Sequence, residues 1–113
     1  MNTLRNKVSL IGRLGAQPEM VKLNSGSRVA RMNIATNESY RDKAGEWVEK
    51  TQWHHVVAWG PVADRITEKL DKGMEVYVDG RLVNRKYETK TGETRHVTEI
   101  EINGFLVLTG KAV

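Results

Sequence analysis

The sequence predicts an all-β domain: a five-stranded antiparallel barrel with one helix between the third and fourth strands and with protruding hairpins. Apolar and polar residues alternate in five separate stretches, as in strands that cover a core with one face. A single stretch has helical spacing, and glycines interrupt the strands where a small barrel must bend them. The 113 residues suffice for one domain, predicted over residues 1–110, with a short tail at 111–113.

Composition narrows the class of protein. The net charge is +4, and basic residues concentrate in residues 1–31 and 85–95. This distribution fits a polyanionic partner, although ordinary surface charge would account for it equally well. The chain has no cysteine, which excludes disulfides and thiolate metal sites. Because the sequence shows no apolar run of membrane-spanning length and no signal-peptide pattern, we expect a soluble cytoplasmic protein without membrane contact.

Two strands are predicted before residue 38. The first spans Lys7–Leu14, with Val8, Leu10 and Leu14 on one face, and the second spans Ser27–Asn37, with Ala30, Met32 and Ile34 on one face. The connector between them is broken by Gly15 and Pro18, with a short extended piece at Met20–Leu23.

A polar segment and then an apolar strand follow. Glu38–Lys50 is too polar for a core and predicts a protruding hairpin loop with Tyr40 near its base. The third strand, Thr51–Gly60, places Trp53 and Trp59 on one face, about 20 Å apart. Two such rings fit a core, and they fit equally a surface on which flat rings stack.

The helix is predicted over Pro61–Lys72. Val62, Ile66 and Leu70 follow one another at four-residue spacing and form a narrow apolar stripe. The proline suits the first turn, and Gly73 is the expected stop.

Two more strands complete the chain. Strand four spans Glu75–Tyr87, with Gly80 at a predicted bulge. After a turn at Gly92, strand five spans His96–Leu108. Three strands, one helix and two strands is the element order of an OB-type barrel.

Catalysis finds little support in the residue pattern. His54 and His55 are neighbours on a strand and point to opposite faces, so they cannot share one metal ion. The chain contains neither a His-x-x-x-His pair nor an Asp-x-Asp cluster. We therefore expect a protein that is not an enzyme and that has no cofactor and no metal site.

Nucleic-acid binding has more support, because aromatic residues stand beside basic ones. Tyr40 precedes Arg41, and Tyr87 follows Arg85 and Lys86. Aromatic rings stack on bases, and neighbouring cations follow the phosphates. Because their neighbours in the sequence are polar or charged, the two tyrosines are harder to explain as core residues.

Two further rings are assigned differently. Trp47 stands among Glu46, Val48 and Glu49, and the pattern gives it no role. Tyr77 lies between two valines of strand four, which fits packing or a subunit interface better than a ligand contact.

An ordered set of short motifs runs through almost the whole chain, from Asn6 to Gly110. Its members are Asn6-Lys7-Val8, Gly12-Arg13-Leu14-Gly15, Pro18-Glu19, Ala35-Thr36-Asn37-Glu38-Ser39-Tyr40, Thr51-Gln52-Trp53-His54-His55-Val56-Val57, Lys72-Gly73, Val76-Tyr77, Gly80-Arg81-Leu82 and Arg85-Lys86-Tyr87. With these motifs the chain resembles the DNA-binding domain of the bacterial single-stranded DNA-binding protein family.

The resemblance implies a function and a set of site residues. Its fold is the OB-type barrel, and its function is sequence-nonspecific binding of single-stranded DNA during replication, recombination and repair, in the bacterial cytoplasm at the nucleoid. The family's stacking rings fall on Tyr40, Trp53, Trp59 and Tyr87, and its subunit-contact histidine falls on His54. The resemblance further implies a homotetramer, built as a dimer of dimers, with DNA wrapped around it.

Basic side chains are expected along the phosphate path: Lys7, Arg13, Arg31, Arg41, Lys43, Lys72, Arg85 and Lys86. The family continues into a flexible linker and an acidic tip that docks replication and repair enzymes. The present sequence stops at Val113, so partners recruited through that tip are not assignable to it. Two rival functions stay open: a short OB-type replication or primosome adaptor, and a metal-dependent nuclease on the same scaffold. Preference for DNA over RNA is not decided by stacking.

Overall fold

Residues 4–110 are the part of the chain that the computed structural model describes. Their elements are β1 (Val8–Leu14), β2 (Glu19–Lys22), β3 (Arg28–Arg41), β4 (Trp47–Trp59), α1 (Gly60–Lys69), β5 (Glu75–Glu88) and β6 (Thr94–Thr109). β3 to β6 correspond to the predicted strands two to five, and β2 is the predicted short extended piece. The predicted tail at 111–113 lies outside the described residues. Within those residues, no helix is both long and apolar enough to cross a membrane.

Five of the strands close into a ring. The hydrogen-bonded order is β1-β5-β6-β4-β3, and β1 pairs again with β3, while β2 pairs with the first residues of β3 on the same edge as β1. The single helix of the described residues lies between β4 and β5. The predicted all-β class, the five-strand closure and the position of the helix are therefore confirmed, and the architecture is consistent with an OB-type barrel.

One strand pair contradicts the predicted antiparallel arrangement. β4 and β6 run parallel, with Val56 beside Ile100 and Val57 beside Glu101. The other pairings are antiparallel. A closed ring with an odd number of strands cannot alternate direction at every seam, so at least one pair must be parallel. The prediction of a purely antiparallel barrel was wrong at this seam.

The segment predicted as a polar hairpin loop is mostly a regular two-stranded ribbon. β3 runs to Arg41 and β4 begins at Trp47, and the two pair without a register shift along their whole length. The turn is closed by Asp42, whose Oδ1 accepts hydrogen bonds from the backbone N–H groups of Ala44 and Glu46, each at 2.9 Å. The ribbon protrudes from the barrel, so neither of its faces needs the apolar alternation that marks a strand over a core.

The helix is shorter than predicted. It begins at Gly60 and ends at Lys69, and the backbone N–H of Leu70 donates to the carbonyl oxygen of Ile66. Gly73 lies beyond this end, in the turn before β5, with φ of 88°. Ile66 and Leu70 are almost fully buried, so the predicted apolar stripe does face the barrel core.

The core fills the barrel interior with aliphatic side chains. Its fully buried members include Ile34, Val56, Ile66, Val76 and Val78. This composition agrees with a chain that has a single phenylalanine, which is only partly buried at the core margin.

A bulge bends β5 at the predicted glycine. The register of β5 against β6 shifts between Asp79 and Gly80. A Cβ at position 80 would lie 2.1 Å from the carbonyl oxygen of Glu101, so the two backbones approach more closely than any larger residue allows.

Candidate nucleic-acid interface

Most of the predicted binding rings lie on one outer surface of the barrel, formed by β3, β4, β5 and β6. We call this surface the aromatic face and define it by Arg31, Asn33, Trp53, His55, Val57, Trp59, Val83, Arg85, Tyr87 and Glu99.

The two tryptophans of this face point to solvent. Trp53 is 59% exposed and Trp59 is 44% exposed, whereas Val56 and Ala58 alternate with them and lie in the core. Val57, between the two rings, is only 7% exposed and forms an apolar floor. The alternative of core positions for both tryptophans is therefore excluded, and the strand offers its rings outward.

Trp53 rests on the backbone of the loop after β1. A Cβ at Gly15 would fall 2.3 Å from Cζ3 of the Trp53 ring. Beside the ring, Nδ1 of His55 lies 3.0 Å from Oδ1 of Asn33, directly across the β3–β4 ladder. Sequence reasoning missed Gly15 and Asn33 as site residues, because the contact and the strand register were needed to place them.

Three adjoining grooves connect the rings. One, of about 230 Å³, is lined by Trp59, Val57 and Arg31. A second, of about 420 Å³, shares Val57 and Arg31 with the first and continues to His55 and Tyr87. The third lies between Trp53 and His55. The structure therefore brings Trp53, Trp59 and Tyr87 onto one continuous surface.

A buried carboxylate lies in the middle of this surface. Glu99 is 8% exposed, and its two oxygens accept hydrogen bonds from Nε and Nη2 of Arg85 at 2.7 and 3.1 Å. These hydrogen bonds raise the pKa of the Arg85 guanidinium. Arg85, predicted to bind phosphate, therefore also neutralises the carboxylate of Glu99.

Tyr40 and Lys86 point away from the aromatic face. Tyr40 is 50% exposed, but it pairs with Val48, and that pair points to the opposite face of the β3–β4 ladder from Trp53. Lys86 alternates with Arg85 and Tyr87 along β5 and so points away from them.

The remaining predicted phosphate contacts are spread over the barrel. Arg31 is exposed on the aromatic face, and its guanidinium makes no hydrogen bond or ion pair with the rest of residues 4–110. Arg13 donates from Nη1 to the carbonyl oxygen of Gly73 at 2.8 Å and lines a groove with Trp53. The others lie farther out: Lys7 in an ion pair with Asp79, Arg41 over the Trp47 ring, Lys43 in the hairpin turn and Lys72 in the turn before β5.

Similarity to known proteins decides the family. The model of the Single-strand binding protein family matches residues 5–108. The chain belongs to the single-strand binding protein family. The resemblance inferred from the motifs is thereby confirmed.

Relatives and solved structures agree with this assignment. Single-stranded DNA-binding protein 1 of Chlorobaculum tepidum is 42% identical over 107 residues, which cover 94% of this chain and 66% of the relative. The chain thus spans slightly less than two thirds of that relative's length. A structure described as "Plasmodium falciparum SSB complex with ssDNA" matches with a TM-score of 0.82 and 39% identity, over 91% of this chain and 94% of that one. A deletion mutant of the Thermus aquaticus single-stranded DNA binding protein matches with a TM-score of 0.81 and 28% identity, over 93% of this chain and 51% of that one.

The two residues expected at subunit contacts lie in different settings. Tyr77 belongs to a cross-strand row with Ile11 and Leu106, which are 56% and 62% exposed. Its hydroxyl donates to Oγ of Ser9 at 3.3 Å. His54 is half-buried on β4, and its Nε2 lies 2.9 Å from Oγ1 of Thr36.

The family is one of DNA-binding proteins. Among residues 4–110 no group of three or more His, Asp or Glu side chains could hold a metal ion.

Proposed function

We propose that this chain binds single-stranded DNA without sequence preference, as a non-enzymatic protein that protects the strand in replication, recombination and repair. The observation that carries the proposal is the outward display of Trp53 and Trp59 on a strand whose alternate residues form the core. A folded protein gains nothing from exposing two such large apolar rings, so their exposure favours a ligand with flat faces. The similar Plasmodium falciparum structure, described as a complex with ssDNA, supports that choice of ligand.

Stacking on the rings supplies the sequence-tolerant part of the binding energy. Every base has a π-face, and each stacked base contributes about 1–3 kcal/mol as judged by alanine substitution. Trp53, Trp59 and Tyr87 border one continuous surface, so a single strand can cross all three. Tyr40, on the other face of the ribbon, would stack a base only where the strand passes around the ribbon edge.

Positive charge beside the rings supplies the salt-dependent part. Arg31 and Arg13 border the aromatic face and its neighbouring groove, and Arg85 stands there with its charge shared with Glu99. Each phosphate neutralised on a single strand lowers the logarithm of affinity by about 0.7 per tenfold rise in salt. Duplex DNA should bind poorly, because its bases are already stacked inside the helix.

Assembly into a homotetramer, a dimer of dimers, is part of the proposal. Ile11, Tyr77 and Leu106 form a row across three neighbouring strands, in which Ile11 and Leu106 are exposed and Tyr77 is half-buried. Contact with a second copy would remove this row from water, which favours association. Sedimentation velocity of the wild type and of Leu106→Asp tests this: a charge placed in the contact should shift the protein toward smaller species.

The function itself is tested by the double variant Trp53→Ala/Trp59→Ala, with Trp53→Phe/Trp59→Phe as the ring-retaining control. Binding of labelled oligo-dT is followed by fluorescence anisotropy. The alanine variant should lose at least about tenfold in affinity, since two stacked bases are lost, and the phenylalanine variant should retain most of it. Unchanged affinity in a folded alanine variant would refute stacking.

A further inference from the structure

A third tryptophan continues the line of the first two along β4. Trp47 lies six residues before Trp53, which lies six residues before Trp59. The β3–β4 register is unbroken over this length, so the three rings share one face of the ladder at intervals of about 20 Å. Trp47 is 66% exposed, more than either of the others.

An arginine lies over one face of the Trp47 ring, which is otherwise largely exposed. Cζ of Arg41 lies over the ring at 4.9 Å from its centroid, and the two residues pair directly across the ribbon. A cation over one face holds an exposed ring in place. The large exposed fraction therefore comes from the opposite face and the ring edge, which are open to a flat partner.

The sequence segment around Trp47 has a slight excess of negative charge. The segment 38–50 carries four acids against three bases: Glu38, Asp42, Glu46 and Glu49 against Arg41, Lys43 and Lys50. Such a segment attracts phosphates weakly, so a DNA strand that reaches it would be held there by its bases.

We propose that Trp47 is a further stacking platform for single-stranded DNA, which extends the binding path from the aromatic face along the β3–β4 ribbon. The inference rests on the proposed function and adds a site to it. The interval of about 20 Å from Trp53 corresponds to about six nucleotides at the roughly 3.4 Å spacing of stacked bases. A long single strand can therefore occupy both rings at once.

A variant with Trp47 as its one tryptophan tests the contact directly. Trp53→Phe/Trp59→Phe keeps aromatic rings on the aromatic face and leaves Trp47 as the source of tryptophan emission. Long oligo-dT should quench this emission, with saturation at the same concentration as the anisotropy of the labelled oligonucleotide. Bound oligonucleotide with unchanged Trp47 emission would overturn the inference and leave the proposed function intact.

Affinity gives a second readout. Trp47→Ala should weaken binding of long oligo-dT about fivefold or more, while the slope of affinity against salt stays the same, because a ring and no cation is removed. Trp47→Phe is the matched control and should retain most of the affinity. Equal affinity of Trp47→Ala and wild type would overturn the inference, as would a loss accompanied by a changed sedimentation coefficient, since Trp47 would then act in subunit contact. Failure of the wild type itself to bind oligo-dT would refute the proposed function and this site with it.

Discussion

Trp53 and Gly15 are in direct contact: the indole ring lies so close to the loop backbone that a Cβ on residue 15 would fall 2.3 Å from Cζ3. The ring can pack against the loop backbone only because residue 15 has no side chain. Its position on the aromatic face therefore depends on the loop after β1, which is distant from β4 in the sequence.

Gly15→Ala should weaken DNA binding more than it weakens the fold. The added methyl group displaces the Trp53 ring toward water, and the loss of affinity should approach that of Trp53→Ala, about 1–3 kcal/mol. The exposed ring can swing outward, so the melting temperature should change little. Gly104→Ala is the matched control, since a Cβ there meets no atom within 4 Å. Anisotropy and thermal melting of both variants check the prediction, and an unaltered affinity of Gly15→Ala would contradict it.

Gly80→Ala should destabilise the barrel. The added Cβ would lie 2.1 Å from the carbonyl oxygen of Glu101, and a backbone atom of a paired strand cannot move aside as a flexible side chain can. Overpacking of this kind typically costs about 1–3 kcal/mol. Urea denaturation of this variant beside Gly104→Ala measures the difference. Equal midpoints for the two variants would show that the bulge tolerates a side chain.

Arg85→Ala and Glu99→Gln should lower folding stability by different amounts. Arg85→Ala leaves a buried carboxylate without its two charged hydrogen bonds and should cost about 1–3 kcal/mol of folding stability. Glu99→Gln leaves only the half-exposed guanidinium without its counter-charge, and water can reach it, so the loss should be smaller. The freed arginine should also steepen the salt dependence of DNA binding, by about 0.7 in slope. Denaturation measures the two stability losses, and salt titration of DNA binding measures the slope. A larger loss of folding stability for Glu99→Gln than for Arg85→Ala would contradict the prediction.

The Arg28–Asp64 ion pair should make folding stability depend on pH in the acid range. Nε and Nη2 of Arg28 donate to its two oxygens at 2.8 and 2.6 Å and tie the start of β3 to α1. These hydrogen bonds lower the pKa of the Asp64 carboxyl below its ordinary value. The contribution is complete above the unfolded pKa of about 3.9 and is lost as the pH falls through the lower folded pKa.

The corresponding measurement compares wild type with Asp64→Asn. The difference in melting temperature should be constant near neutral pH and should shrink in the acid range below about pH 4. Glu68→Gln, an exposed change on the same helix, serves as the control. A difference that grows with acidity would contradict this sign.

Much of the fold follows from sequence pattern wherever a strand covers the core. Ala30, Met32 and Ile34 mark β3 because their alternation is imposed by burial. The outer halves of β3 and β4 escape detection, since a ribbon free of the barrel has no apolar side to reveal it. The need for at least one parallel pair follows from the strand count, because five strands in a ring cannot all alternate, but only the structure shows that the pair is β4 and β6.

The candidate site is less accessible to sequence reasoning. Residue type, strand alternation and the resemblance to the family predicted Trp53, Trp59 and Tyr87 as site residues. The structure places these three rings on one surface. Strand register decides that Tyr40 faces the other way, and a contact between distant segments pairs Trp53 with Gly15. The chemistry of Arg85 changes because its cross-strand neighbourhood contains Glu99, and no spacing along the chain reveals that contact.

Titration of tryptophan fluorescence in a Trp47→Phe protein tests the central claim most directly, since emission then comes from Trp53 and Trp59. Oligo-dT and a duplex of equal length are added separately at two salt concentrations. Base stacking on the aromatic face predicts strong quenching by the single strand alone, reached at higher DNA concentration when salt is raised. Equal quenching by both forms of DNA, or none by either, would contradict it.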